Sequence, residues 1–139
     1  MNRALDWLRQ AERDLKKAKN DLKAGFYEWA CFACQQAAEK AVKALGMRYG
    51  LDVWGHSVRE LLELVSKHCS LDVPPEVARW ARKLDRMYIP TRYPNGLPAG
   101  APFEHYDASD AEEAILAAEN IIRFCKSNLP GEGQADKGY

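Results

Sequence analysis

Six residues between Asp85 and Tyr93 form the densest polar constellation in this 139-residue chain: Asp85, Arg86, Tyr88, Thr91, Arg92 and Tyr93. Arg92 stands among aromatics and prolines, with Pro90 before it and Pro94 after, not on a repetitive solvated face. A guanidinium held rigidly there can meet a phosphate or carboxylate through two parallel N–H bonds. Tyr88 and Tyr93 could stack on a base or donate hydrogen bonds. Two compatible roles are open for Arg92: contact with a ligand, or an ion pair with Asp85 that pins the loop to the helix before it.

The histidines offer proton transfer. His56, at the start of a helix, could cap backbone groups, pair with an acid, or serve as a general acid or base near neutral pH. His105 follows a glycine- and proline-rich loop and is the other histidine that could face Arg92. His68 reads as a capping or surface residue. On an earlier helix, Lys40, Lys43 and Gln36 share a face and could line a polar groove, although solvated flanks of a buried helix explain them as well. Glu39 could act there as an acid or as the i,i+4 partner of Lys43. Cys31 and Cys34 form a C-x-x-C pattern, but zinc would need Cys69, Cys125 and a histidine to converge on them. Small core cysteines are the simpler account, so neither a metal nor a cofactor is expected. No phosphate-binding glycine loop, dinucleotide fingerprint or zinc-protease motif occurs, so any nucleotide contact must use side chains or the irregular loop.

The elements that must position these groups are helices. From Tyr27 to Tyr49 apolar residues recur at helical spacing, with Trp29, Ala33, Ala37, Ala41 and Ala44 on one side and Phe26, Ala30, Ala38, Val42 and Leu45 widening it. Such a helix belongs at the centre of a bundle, where its alanines let neighbours approach closely. Before it, Asn2 to Ala24 carries a stripe that includes Leu5, Leu8, Ala11, Leu15, Ala18 and Leu22, and Gly25 ends that helix. A third helix opens near His56, with Ser57 and Glu60 placed for a capping box. Pro75 suits the first turn of a fourth, which buries Val77, Trp80, Ala81, Leu84 and Tyr88. Residues 94–104 are too rich in glycine and proline for regular structure. Asp107 or Ser109 can cap the last helix. The expected architecture is all-α: an up-and-down bundle of about five helices, with a Gly/Pro-rich loop before the last. A single domain over residues 1–130 and a disordered tail over 131–139 are expected.

Composition agrees with a soluble protein, at 47% hydrophobic and 29% charged residues. The formal net charge is zero, which gives no global pull towards nucleic acid or anionic lipid. The distribution is uneven: residues 1–49 carry 10 basic and 6 acidic side chains, residues 95–139 carry 3 and 8. This polarity permits a charged face on a bundle or head-to-tail attraction between chains. No apolar run long enough to span a membrane occurs, and the amphipathic start is no secretory signal, so the expected location is the cytoplasm.

Four strings carry a resemblance: AERDLKKA near the start, FACQQAAEKAVKAL in the central helix, GHSVREL opening the third helix, and LDRMYIPTRYP around Arg92. In this order and spacing the chain resembles the HEPN (higher eukaryotes and prokaryotes nucleotide-binding) family over about residues 3 to 129. The resemblance implies a helical bundle paired as a homodimer, and a separate small nucleotidyltransferase as partner in a toxin–antitoxin-like pair. It also implies binding of a nucleotide or an RNA phosphate. Read from their types and spacing, the candidate ligand contacts are Arg92, Tyr93, Tyr88, His56, Lys40, Lys43 and Asp85. Many HEPN proteins are metal-independent ribonucleases whose arginine is followed a few residues later by a histidine. Arg92 matches that arginine. The histidine does not match: none stands at that spacing, the next is His105 with twelve residues intervening, and Arg92 with His105 is the candidate catalytic pair. The leading expectation is a nucleotide- or RNA-phosphate-binding subunit. The alternatives are a metal-independent endoribonuclease toxin and a non-catalytic helical interaction protein.

Overall fold

A computed structural model describes residues 2–130, so the expected tail at 131–139 lies outside the described residues. Five α-helices make up the fold: α1 (Ala4–Ala24), α2 (Tyr27–Arg48), α3 (Val58–Cys69), α4 (Pro75–Asp85) and α5 (Ala108–Ser127). Short 3-10 turns at Pro94–Gly96 and Pro102–His105 shape the loop before α5, and no strand occurs among the described residues.

The hairpin of α1 and α2 turns on Gly25, whose φ of 84° is left-handed. Phe26 N donates to Asp21 O and Gly25 N to Leu22 O, the paired bonds of a Schellman cap. A side chain at Gly25 would carry the left-handed strain that glycine avoids. The central helix packs against all four others. It can do so because Ala30, Ala37, Ala38 and Ala41 are fully buried and keep its radius small. Gly46 serves the same end at a different neighbour. A Cβ there would sit 3.1 Å from Leu51 O and 3.3 Å from Val65 Cγ2.

Two parts of the expected apolar faces differ. Phe26 and Trp29 are exposed (54% and 44%), and so is Leu5. Helical periodicity places them beside the buried stripe, but no neighbouring helix reaches far enough to cover that shoulder of the α1–α2 hairpin. In the other direction, two polar residues of α2, Gln35 and Glu39, are 0% and 5% exposed.

Helix starts follow local chemistry in two cases. Pro74 and Pro75 open α4, and Asp107 with Asp110 forms a reciprocal capping box at α5. Ser57 caps α3, accepting from Glu60 N at 3.2 Å. Further capping at α3 comes from outside the helix: Asp85, at the end of α4, accepts Val58 N at 2.6 Å and Ser57 Oγ at 2.8 Å. The uneven charge is neutralised partly within the chain, where Lys19 pairs with Glu119 and Lys83 with Glu113. These pairs are largely exposed, each worth about 0–1 kcal/mol. Among the described residues no helix is long and apolar enough to cross a membrane.

Candidate functional site

The site is built where the chain leaves α4. Met87 is buried, and Thr91, 1% exposed, donates its hydroxyl to Met87 O at 2.6 Å. Arg92 N and Tyr93 N both donate to Ile89 O, so the segment winds into a tight turn. The Pro94–Gly96 turn packs back on it; a Cβ at Gly96 would lie 3.2 Å from Pro90 Cα. The expected irregular loop is therefore a fixed platform at its start.

Arg92 stands on that platform. Its Nε and Nη2 donate to Tyr88 O at 2.9 and 2.8 Å. Its Cζ lies 4.2 Å from the ring centre of Phe32 on α2, 4.7 Å from Tyr88 and 5.0 Å from Tyr93. Each such contact is worth about 0.5–2 kcal/mol, more as the guanidinium loses water. Two of its five N–H groups are used by Tyr88 O, and three remain on the far edge. Among the described residues no carboxylate lies within ion-pair distance of Arg92. The arrangement is an oriented positive charge with an open bidentate edge, which suits a phosphate or carboxylate oxygen pair. The alternative of an Arg92–Asp85 ion pair is not what forms, because Asp85 is occupied at the start of α3.

Tyr88 joins Arg92 to His56. The two rings stack at 4.5 Å between centres and 18° between planes. His56 Nδ1 is 3.0 Å from Glu39 Oε1. Glu39 also accepts from Lys43 Nζ at 3.1 Å and Gln35 Nε2 at 3.3 Å. Gln35 Nε2 further donates to His56 O at 2.8 Å, and Gln35 Oε1 accepts from Gln36 Nε2. The network is complete: no buried side-chain nitrogen or oxygen lacks a partner among the described residues. Buried polar groups that are fully satisfied fix one geometry.

Of the residues singled out from the sequence, Arg92, Tyr88, Tyr93, His56 and Lys43 come together. Asp85 adjoins them through Ser57, the neighbour of His56, but faces α3. Lys40 goes elsewhere, pairing with Asp14 on α1 at 2.6 Å. It helps line a groove of about 580 Å³ with Gln36, Phe26, Trp29 and Phe32. Phe32 touches both sites, so the groove runs up to Arg92. His105 bonds the carbonyl of Ala99 in its own loop, and no hydrogen bond or ring contact among the described residues joins it to Arg92. Phe32, Gln35 and the central place of Glu39 escaped the sequence reading. A signal for two of them exists: Gln35, Glu39 and Lys43 step by four along an otherwise alanine-rich face.

Cys31 and Cys34 are core residues of α2. Burial pushes the Cys31 thiol up to about 12, and raises Cys34 and Cys125 as well, so they stay neutral thiols near pH 7. Among the described residues no three potential ligands are gathered to hold a metal.

Comparison with known proteins agrees with this architecture. The HEPN domain matches residues 4–128. A Methanocaldococcus jannaschii protein named as a suspected toxin is 30% identical, over 88% of this chain and 86% of its own length. The crystal structure of TT1696 from Thermus thermophilus superposes with a TM-score of 0.89 at 46% identity, covering 93% of this chain and 100% of that one. That of ST0689, described as an archaeal HEPN homologue, gives 0.79 at 41% identity, covering 94% and 100%.

Proposed function

The chain belongs to the HEPN domain family, and from that premise we propose that it is the phosphate-binding HEPN half of a toxin–antitoxin-like pair. One observation carries this reading. Arg92 is anchored through Tyr88 O and stacked among three rings, while its outer edge has no carboxylate partner among the described residues. A guanidinium that is fixed, partly desolvated and uncompensated favours an anion with paired oxygens. Tyr93, 49% exposed beside it, offers a ring on which a base can stack. The ligand is a nucleotide or a phosphate of single-stranded RNA, and the partner is a separate small nucleotidyltransferase. The toxin name of the archaeal relative and the family resemblance support that pairing.

A fluorescence-anisotropy titration with a short single-stranded RNA tests the ligand. Binding should compete with inorganic phosphate and weaken between ~50 and ~200 mM salt, with the shallow slope of a few neutralised phosphates. RNA binding indifferent to both phosphate and salt would remove the proposal.

The protein acts as a homodimer that closes over the α1–α2 groove. The support is the row of exposed Phe26 and Trp29 with half-buried Phe32, an aromatic face continuous with Arg92. Light scattering should return twice the mass of one chain, and Trp29→Glu should return the mass of one. A monomeric wild type sinks this part of the reading.

A further inference from the structure

We propose that Trp54 is a stacking platform for a nucleobase adjoining the phosphate that Arg92 holds. The inference rests on the phosphate-binding reading of Arg92 and adds a base contact to it. Trp54 is 84% exposed, the most exposed large apolar side chain among the described residues. The chain has four tryptophans, and the other three have partners. Trp7 lies under Lys43, Trp80 under Arg79, and Trp29 meets Phe32 edge-on. Trp54 alone makes no ring or cation contact among the described residues. An indole left in water forgoes the burial that drives folding, so the fold itself makes little use of this one.

The segment that carries Trp54 is pinned on both sides. Leu51 N donates to Gly46 O at 2.8 Å, and Leu51 and Val53 pack against the core. Beyond the tryptophan, His56 O accepts from Gln35 Nε2 at 2.8 Å. Burial alternates along the segment: Leu51 and Val53 are half-buried, Asp52 and Trp54 exposed. A ring presented from a fixed backbone has less freedom to lose when a ligand lands on it. Gly55 stands between Trp54 and His56, and an added Cβ there would meet nothing within 4 Å. A flat ligand therefore finds open space beside the segment.

Position ties this ring to Arg92. Two residues of chain span at most about 7 Å, which bounds the separation of the Trp54 and His56 Cα atoms. The His56 ring stacks on Tyr88 at 4.5 Å, and Arg92 Cζ is 4.7 Å from the centre of the same tyrosine ring. Arg92, Tyr88, His56 and Trp54 thus form a continuous series of neighbours. Only a sugar separates a phosphate from its base, so a strand held at Arg92 can lay a neighbouring base on the indole. Basic groups interleaved with aromatic rings hold single-stranded nucleic acid without reading its sequence. Tyr93 supplies one ring beside Arg92, and Trp54 supplies a second. Two rings favour an internal phosphate with a base on each side over a mononucleotide, which fills one ring at a time. A protein partner fits less well, because docking faces are contiguous apolar patches and the exposed chain neighbours of Trp54 are Asp52, Gly55 and His56.

The test uses the full chain, a short single-stranded RNA, and the same strand with abasic sugars throughout. Trp54→Ala should weaken binding of the intact strand about tenfold and leave the abasic strand within about twofold, the pattern of one lost base–ring stack. Trp54→Phe should recover most of the loss. Fluorine NMR of the fluorotryptophan-labelled chain resolves the tryptophans, and the Trp54 signal is the one missing from Trp54→Phe. It should shift saturably with the intact strand and stay fixed with inorganic phosphate alone. Equal loss on both strands, loss on neither, or a Trp54 signal that ignores RNA overturns the inference. In each of these cases, an Arg92→Ala protein that no longer binds RNA leaves the phosphate-binding reading standing. A base effect at Trp54 in a protein whose affinity ignores Arg92→Ala removes that reading, and the pairing proposed here with it. A Trp54 signal that moves on dilution but not with RNA marks a contact between copies of the chain and overturns the inference as well.

Discussion

Arg92→Ala should weaken binding of a short single-stranded RNA at least about tenfold, and Arg92→Lys should recover only a small part of the loss. A hydrogen bond to a charged group is worth about 1.5–3 kcal/mol, and 1.4 kcal/mol is a factor of ten. Alanine removes both bonds of the outer edge and the charge that draws the anion. Lysine keeps the charge but not the plane. Its ammonium cannot donate to Tyr88 O from two nitrogens, lie flat among Phe32, Tyr88 and Tyr93, and still present a paired edge. The anchoring makes the difference between the two residues larger than on an open surface. Stability should fall by only about 1 kcal/mol, because Tyr88 O can turn to water. Anisotropy and a thermal melt on the same samples separate the two effects. An Arg92→Ala protein that binds like wild type would take the site away.

Asp85→Ala should lower stability by about 2–4 kcal/mol, the larger structural effect in this molecule. Its carboxylate accepts Ser57 Oγ at 2.8 Å, Val58 N at 2.6 Å and Arg59 N at 3.3 Å. Those amides belong to the first turn of α3, where no partner exists within the helix and where the dipole favours negative charge. Alanine leaves them unpaired and cuts the tie between α4 and α3. A local cap is worth ~1 kcal/mol; the excess reflects a charged acceptor that also joins two helices. Asp85→Asn, with one acceptor oxygen left, should lose about half as much. Urea unfolding should show a lower midpoint with an unchanged slope. A loss under ~0.5 kcal/mol would mean that water replaces the carboxylate without cost. The same substitution should loosen His56, whose neighbour Ser57 is released.

What could be read from the sequence was set by how far each signal reaches. The α1–α2 hairpin, the Gly25 stop, the Ser57 cap, Pro75 at the start of α4 and Asp107 at α5 all depend on residues within one turn of each other. Local chemistry announces them. Asp85 capping α3 joins residues 27 and 28 positions apart, and no local pattern encodes it. Burial has the same limit. Periodicity gives the apolar side of α2 but not the width that neighbours cover, so Phe26 and Trp29 fall outside and Gln35 and Glu39 fall inside. Arg92 stood out because prolines and tyrosines surround it. Its aromatic partner Phe32 and its neighbour His56 come from other helices, and only the fold assembles them. His105 looked close because it follows in sequence, yet its loop folds upon itself at Ala99.

Arg92 as phosphate holder is the centre of the account, and guanidinium NMR observes it directly. Nitrogen-detected spectra resolve the Nε and Nη signals of individual arginines. On titration with a short single-stranded RNA, the Arg92 signals should shift saturably and its Nη groups should slow their rotation. Arg79, Arg82 and Arg86 on the outer side of α4 and just beyond it should respond weakly and lose that response first as salt is added. Arg92 signals that stay fixed while the α4 arginines shift would place the RNA on an ordinary basic surface and contradict the site.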